Sequence, residues 1–179
     1  IGLNNAVGSA VNVLGDIHGG AGQQCMELYA DAARRIDGGA ALEAAVAAAM
    51  DEAIARDGPI IPGFGHRFHP HDPRTPRLLG LVGEATAAGL VSGRFAAIGR
   101  AVEAELQRRK GRLLPMNVDG ATAVVYSELG FAPPLGRGLF LLSRSVGILA
   151  HAWEELGEGR RIKGPMPKAI PFTYAGPEA

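Results

Sequence analysis

Apolar positions recur along this chain at helical spacing. Leu3, Val7, Val11 and Leu14 stand at i, i+4, i+8 and i+11, a repeat that gathers side chains on one stripe of a 3.6-residue turn and predicts an opening helix from Ile1 to Leu14. Further helices are expected from about Gln23 to Ile36, ended by Asp37-Gly38-Gly39, and from Ala40 to Arg56, an alanine-rich stretch stopped by Asp57-Gly58-Pro59. Thr75-Pro76 pairs an N-capping residue with proline at the first helical position and opens a helix to about Leu90. The periodicity resumes from Arg94 to Arg109 and from Ala121 to Leu129. A last helix, from Pro134 to Leu156, sets Leu139, Leu142, Val146, Leu149 and Trp153 on one apolar side. Aromatic and β-branched alternation is scarce, so the expected fold class is all-α.

The polar breaks are as telling as the stripes. Gly15 to Gly22 is a glycine-rich interruption around His18, and Ile60 to Arg74 is a long loop holding prolines, glycines, three histidines and Asp72, a composition suited to function more than to connection. Lys110 to Gly120 forms a third loop. The tail from Gly157 to Ala179 is rich in proline, glycine and basic residues and is expected to lie extended, as an arm toward a partner subunit. The opening helix has no capping residue before it, so the chain is expected to be part of a longer protein.

Composition narrows the function classes. The 179 residues are 47% hydrophobic and 20% charged, with 18 basic and 18 acidic side chains, so the chain can bury a core and carries no net field to attract a nucleic-acid backbone. Anionic ligands must be held by local arginines. The single Cys25 cannot form an internal disulfide, which fits a cytoplasmic protein, and no stretch approaches the ~20 apolar residues that cross a bilayer. Neither common glycine-rich phosphate loop is present.

Each of the three loops contains one conspicuous ionisable residue flanked by glycine: His18 in Asp16-Ile17-His18-Gly19-Gly20-Ala21, His66 in Pro62-Gly63-Phe64-Gly65-His66-Arg67, and Asp119 in Pro115-Met116-Asn117-Val118-Asp119-Gly120. Taken singly, the histidines read as loop residues and Asp119 as an N-cap. His66, His69 and His71 with Asp72 raise a metal site and a metal-dependent hydrolase, since imidazoles and a carboxylate at short spacing suit zinc or iron. Pro70 and the lack of a helix or strand scaffold count against it, and the expectation is no metal.

Together these loops resemble the citrate synthase family. His-Gly-Gly-Ala at 18–21, Pro-Gly-Phe-Gly-His-Arg at 62–67 with Asp72-Pro73-Arg74, Pro-x-Asn-Val-Asp at 115–119, and Leu142-Ser143-Arg144-Ser145-Val146-Gly147 follow the family's order and approximate spacing across nearly the whole chain. The resemblance implies an enzyme that makes or cleaves a carbon–carbon bond between acetyl-CoA, or citryl-CoA in reverse, and a 2-oxo acid such as oxaloacetate. It implies a homodimer, with the coenzyme A thioester as substrate and no tightly bound cofactor. Asp119 would take the methyl proton, His18 as a neutral imidazole would donate to the thioester oxygen, and His66 would donate to the ketone oxygen as it becomes an alkoxide. Arg74, Arg144 and Arg161 would grip carboxylates. Pro62, Gly63, Phe64, Gly65, Arg67 and Asn117 would meet the coenzyme A.

The same resemblance implies a smaller helical domain, residues 28–114, set between residues 1–27 and 115–179 of a larger one. The chain departs from the family in three places. The family's upstream substrate histidine has no counterpart here, the arginine of the C-terminal arm is in uncertain register at Arg161, and Gly120 stands where an aromatic residue is common, which would widen the acyl site. A catalytically inert acyl-CoA-binding or regulatory relative is the alternative from another class.

Overall fold

The computed structural model describes residues 2–66, 70–159 and 169. Among these, seven α-helices and no strand are found: α1 (Leu3–Asn12), α2 (Ala21–Asp37), α3 (Leu42–Asp57), α4 (Thr75–Ala87), α5 (Arg94–Lys110), α6 (Val118–Glu128) and α7 (Pro133–Glu158). The all-α expectation holds. No described helix is long and apolar enough to cross a membrane.

The core forms around α2, which packs against α3, α5, α6 and α7. Cys25, Met26, Leu28, Tyr29, Ala32 and Ala33 are its buried positions, spaced to line one broad face. They meet Val46 and Met50 of α3, Ile98, Val102 and Leu106 of α5, and Ala121, Ala123 and Val124 of α6. Each large side chain so enclosed contributes about 1.5–3 kcal/mol relative to exposure. Small residues set the helix spacings: a Cβ added at Gly136 of α7 would stand 2.5 Å from Met26 Sδ, and one at Gly99 of α5 would stand 2.6 Å from Met116 Cε. The small-domain boundary expected at Leu28 falls inside α2, which crosses it without a break.

Two helix starts differ from the sequence reading, each for a local reason. Helix α6 begins at Val118, so Asp119 lies in its first turn; the N-cap is Asn117, whose Oδ1 accepts from Asp119 N at 2.9 Å and from Gly120 N at 3.3 Å. Thr75 is already helical, and its hydroxyl is drawn away from capping to donate to the Met116 carbonyl at 3.1 Å. Helix α5 has Gly93 at its N-cap and so no capping side chain of its own. Glu128 reaches over from the end of α6 instead: Oε1 accepts from Phe95 N (2.7 Å) and Ala96 N (3.2 Å), and Oε2 from Gly93 N (3.0 Å) and Ser92 Oγ (2.9 Å). That satisfies donors otherwise left open at the helix start.

Helix α1 contributes no buried residue and lies along α7. The apolar side read from α7 is largely in solvent, with Leu142 69%, Val146 71% and Trp153 67% exposed. His151, on the same helix, is exposed and has its Nδ1 3.2 Å from Glu154 Oε2.

Candidate active site

Asp119 is fixed from several directions because the segment before α6 is fastened on every side. The loop at 62–65 runs antiparallel to it: Asn117 N donates to Gly63 O (3.0 Å), Gly65 N donates to Pro115 O (2.7 Å), and Asn117 Nδ2 donates to Gly65 O (2.7 Å). Met116 N donates to Glu103 Oε1 at 3.3 Å. The contact between the two segments is so close that glycine is required on both: a Cβ at Gly63 would stand 2.8 Å from Cys25 Sγ and 2.9 Å from Gly120 Cα, and one at Gly120 would collide with the Gly63 carbonyl. Gly63 also has φ of +85°, a region open to glycine and costly to other residues. Gly120 therefore does not widen an acyl site. The space its missing side chain leaves is filled by the Gly63 carbonyl.

Asp72 is the residue whose importance the sequence did not reveal. Its side chain is buried, 1% exposed, and accepts from Arg74 N (3.0 Å), Arg74 Nε (2.9 Å), Arg74 Nη2 (2.8 Å) and Val118 N (2.9 Å). The Arg74 guanidinium is the chief reason its carboxyl is held well below the usual carboxylate range. These bonds tie the end of the long loop to the first turn of α6. They also occupy Asp72, removing the carboxylate from the histidine run in which a metal site was weighed. Among the described residues no cluster of three or more His, Cys, Asp or Glu is placed to hold a metal; His69 lies outside them.

A cavity of about 850 Å³ opens above this platform, and His18, Arg74, Asp119 and Arg144 all line it. Four segments far apart in sequence thus deliver a carboxylate, an imidazole and two guanidinium groups to one space. Burial raises the Asp119 carboxyl above its ordinary value; Arg74 opposes the shift and Asp72 adds to it. The result is a better proton acceptor than a solvated aspartate. Beneath it, burial pushes the Cys25 thiol up to about 12, so this cysteine is an inert packing group.

His18 is exposed at the apex of a tight turn in which Gly15 N donates to His18 O at 2.8 Å. Arg144 has Phe140 beneath it, the guanidinium carbon 5.5 Å from the ring centroid. Arg144 is exposed to the cavity, stacked on an aromatic face. His66 is half-buried and does not line this cavity. The backbone of Gly63 and Gly65 and the amide of Asn117, expected to meet coenzyme A, serve to dock the two loops. Arg67 and Arg161 lie outside the described residues.

The helical fold and the four-residue cavity define a class that comparison identifies. The sequence profile described as "Citrate synthase, C-terminal domain" matches residues 3–165, and the chain belongs to the citrate synthase family. It is 31% identical over 160 residues to the citrate synthase of Acidithiobacillus ferridurans, covering 87% of this chain and 39% of that protein. Among solved structures, citryl-CoA lyase from Hydrogenobacter thermophilus matches with a TM-score of 0.73 and 31% identity, over 100% of this chain and 66% of that one. The Thermoplasma acidophilum citrate synthase, solved with carboxymethyl coenzyme A and oxaloacetate, shares the fold at a TM-score of 0.62 and 24% identity, over 92% of this chain and 41% of that one. The chain thus spans about two fifths of the citrate synthases it matches.

Proposed function

We propose that the protein containing this chain makes or breaks the carbon–carbon bond between a coenzyme A thioester and a 2-oxo acid, with acetyl-CoA and oxaloacetate as the reference pair. The observation that carries this reading is the meeting of Asp119, its carboxyl raised by burial, with His18, Arg74 and Arg144 in one cavity.

In the forward direction Asp119 takes a proton from the thioester methyl carbon. The electron pair moves onto the thioester oxygen, where the His18 N–H donates to the developing charge. The nucleophilic carbon then attacks the ketone carbon of the 2-oxo acid. The ketone oxygen becomes an alkoxide and takes a proton from His66, which lies outside the cavity lining and reaches this oxygen when residues 28–114 move to close the cleft, giving a citryl thioester. Arg144 and Arg74 hold the carboxylates, a guanidinium being permanently charged and shaped to bind both oxygens. Arg74 donates two of its side-chain N–H groups to Asp72, so Arg144 is the freer clamp. In reverse, His66 removes the hydroxyl proton, the carbon–carbon bond cleaves, and protonated Asp119 returns its proton to the methyl carbon.

The chain is 31% identical both to a citryl-CoA lyase and to a citrate synthase, and the proposal covers both directions. Binding of coenzyme A along residues 62–67, a homodimer with Arg161 on a C-terminal arm, movement of residues 28–114 to close the cleft, and a cytoplasmic location belong to the same proposal. The exposed apolar side of α7 supports the dimer. The test is to incubate the complete protein with acetyl-CoA plus oxaloacetate, and separately with citryl-CoA, while following free thiol and oxaloacetate. Turnover in either direction is expected. Coenzyme A binding without turnover or methyl-proton exchange would favour the inert relative.

A further inference from the structure

The chain carries an ion pair at the edge of the cavity for which the chemistry above has no use. Arg137, in the second turn of α7, donates from Nη2 to Asp16 Oδ1 at 2.5 Å, across 121 residues of sequence. Asp16 stands two residues before His18. Among the described residues the buried Arg137 Nε finds no acceptor, so Asp16 is the partner that fixes the guanidinium.

The surroundings make this contact a clamp on the turn. The Arg137 guanidinium closes over Gly20: a Cβ there would stand 3.0 Å from Nη2 and 2.6 Å from Asp16 O. Phe140, three residues further along α7, covers Gly19, where a Cβ would stand 2.8 Å from Cε1. Arg144, four residues beyond that, rests on the Phe140 ring and lines the cavity with His18. Residues 137, 140 and 144 share one stripe of the helix, and that stripe runs along the loop presenting the imidazole.

We propose that Arg137 and Asp16 are positioning residues for His18, fixing the imidazole relative to Arg144 and so the thioester relative to the 2-oxo acid. The inference rests on the proposed reaction for its catalytic consequence, but the clamp is a property of the fold. The Asp16 side chain is 74% exposed and that of Arg137 28%, and a pair this open to water contributes little to global stability. Its loss should therefore appear in the placement of His18 more than in unfolding. Displacing a catalytic group by about an ångström costs roughly a hundredfold in rate.

The experiment compares the complete protein with Arg137→Ala, Asp16→Asn and the charge-exchanged double variant Asp16→Arg/Arg137→Asp. Hydrogen exchange at the methyl group of saturating acetyl-CoA reports the enolisation step, and calorimetry with coenzyme A reports binding. In histidine-labelled protein, the carbon-13 imidazole resonance missing from His18→Gln reports the order of the ring. Each single variant is expected to slow exchange about 10- to 100-fold, to leave the coenzyme A Kd within about twofold, and to broaden or split the His18 resonance. The double variant should recover a single sharp line and most of the rate. Single variants with an unchanged resonance and rate would overturn the proposal, as would a double variant no better than either. If the unaltered protein exchanges no methyl hydrogen, the proposed reaction fails, and the resonance alone decides on the clamp.

Discussion

Asp72 accepts a hydrogen bond from the backbone N–H of Val118 at 2.9 Å, joining the end of the histidine-rich loop to the residue before Asp119. The same carboxylate takes three hydrogen bonds from Arg74, so one buried charge sets two residues of the site. Asp72→Ala leaves Val118 N without its acceptor and frees Arg74 to swing. It is expected to destabilise the protein by about 1–3 kcal/mol and to lower turnover more than tenfold, read by urea unfolding and by oxaloacetate released from citryl-CoA. The carboxyl pKa is depressed in the fold, so its stabilisation is complete above the unfolded value of about 3.9 and fades as pH falls further toward the folded value. The stability gap between the native protein and Asp72→Asn should therefore shrink below about pH 4.

Asp119 shows the opposite sign. Burial raises its carboxyl pKa, so ionising it opposes folding, and stability falls as pH rises from the unfolded value through the folded one. Asp119→Asn should be at least as stable as the native protein at pH 7, with any advantage lost below about pH 4. Its turnover should fall by about 10²–10⁴-fold while coenzyme A thioester binding persists. In the native protein, the acid limb of the kcat/KM profile should lie above the ordinary aspartate range.

Gly120 separates the packing account from the reading in which a missing aromatic enlarges the acyl site. Because a Cβ there meets the Gly63 carbonyl and stands 2.7 Å from Met116 Cγ, Gly120→Ala is expected to cost about 1–3 kcal/mol through overpacking and to displace the 62–65 loop. A thermal melt unchanged from that of the native protein would show that the two segments are not in contact.

Glu128 offers a test away from the cavity. Glu128→Ala removes the acceptor for four donors at the start of α5, and a loss of about 1–2 kcal/mol is expected in denaturant unfolding, by analogy with removal of a helix cap. Methyl-hydrogen exchange by the folded variant should be unchanged.

Much of this fold could be read from the chain because its helices are long and their apolar stripes regular, as with Cys25, Met26, Tyr29 and Ala32 in α2. Glycine and proline punctuation located the loops. What stayed hidden depends on contacts between segments remote in sequence. Asn117 outcompetes Asp119 for the cap of α6 because its amide also reaches Gly65 O. Thr75 gives up capping for the Met116 carbonyl, 41 residues away. Asp72 looked like a metal ligand beside three histidines, and nothing local shows that it faces Val118. Arg137 and Asp16, 121 residues apart, carry no periodic signal at all. His18, Arg74, Asp119 and Arg144 were legible as candidates, and the fold brings them to one cavity; His66 was equally legible and lies outside its lining.

The most direct test of the central claim is the rate at which the complete protein converts citryl-CoA to acetyl-CoA and oxaloacetate, measured beside Asp119→Ala. Steady cleavage by the native protein and none by the variant, with coenzyme A binding retained in both, is the predicted result. No cleavage of citryl-CoA and no condensation of acetyl-CoA or propionyl-CoA with oxaloacetate would contradict it, as would full activity without the Asp119 carboxylate.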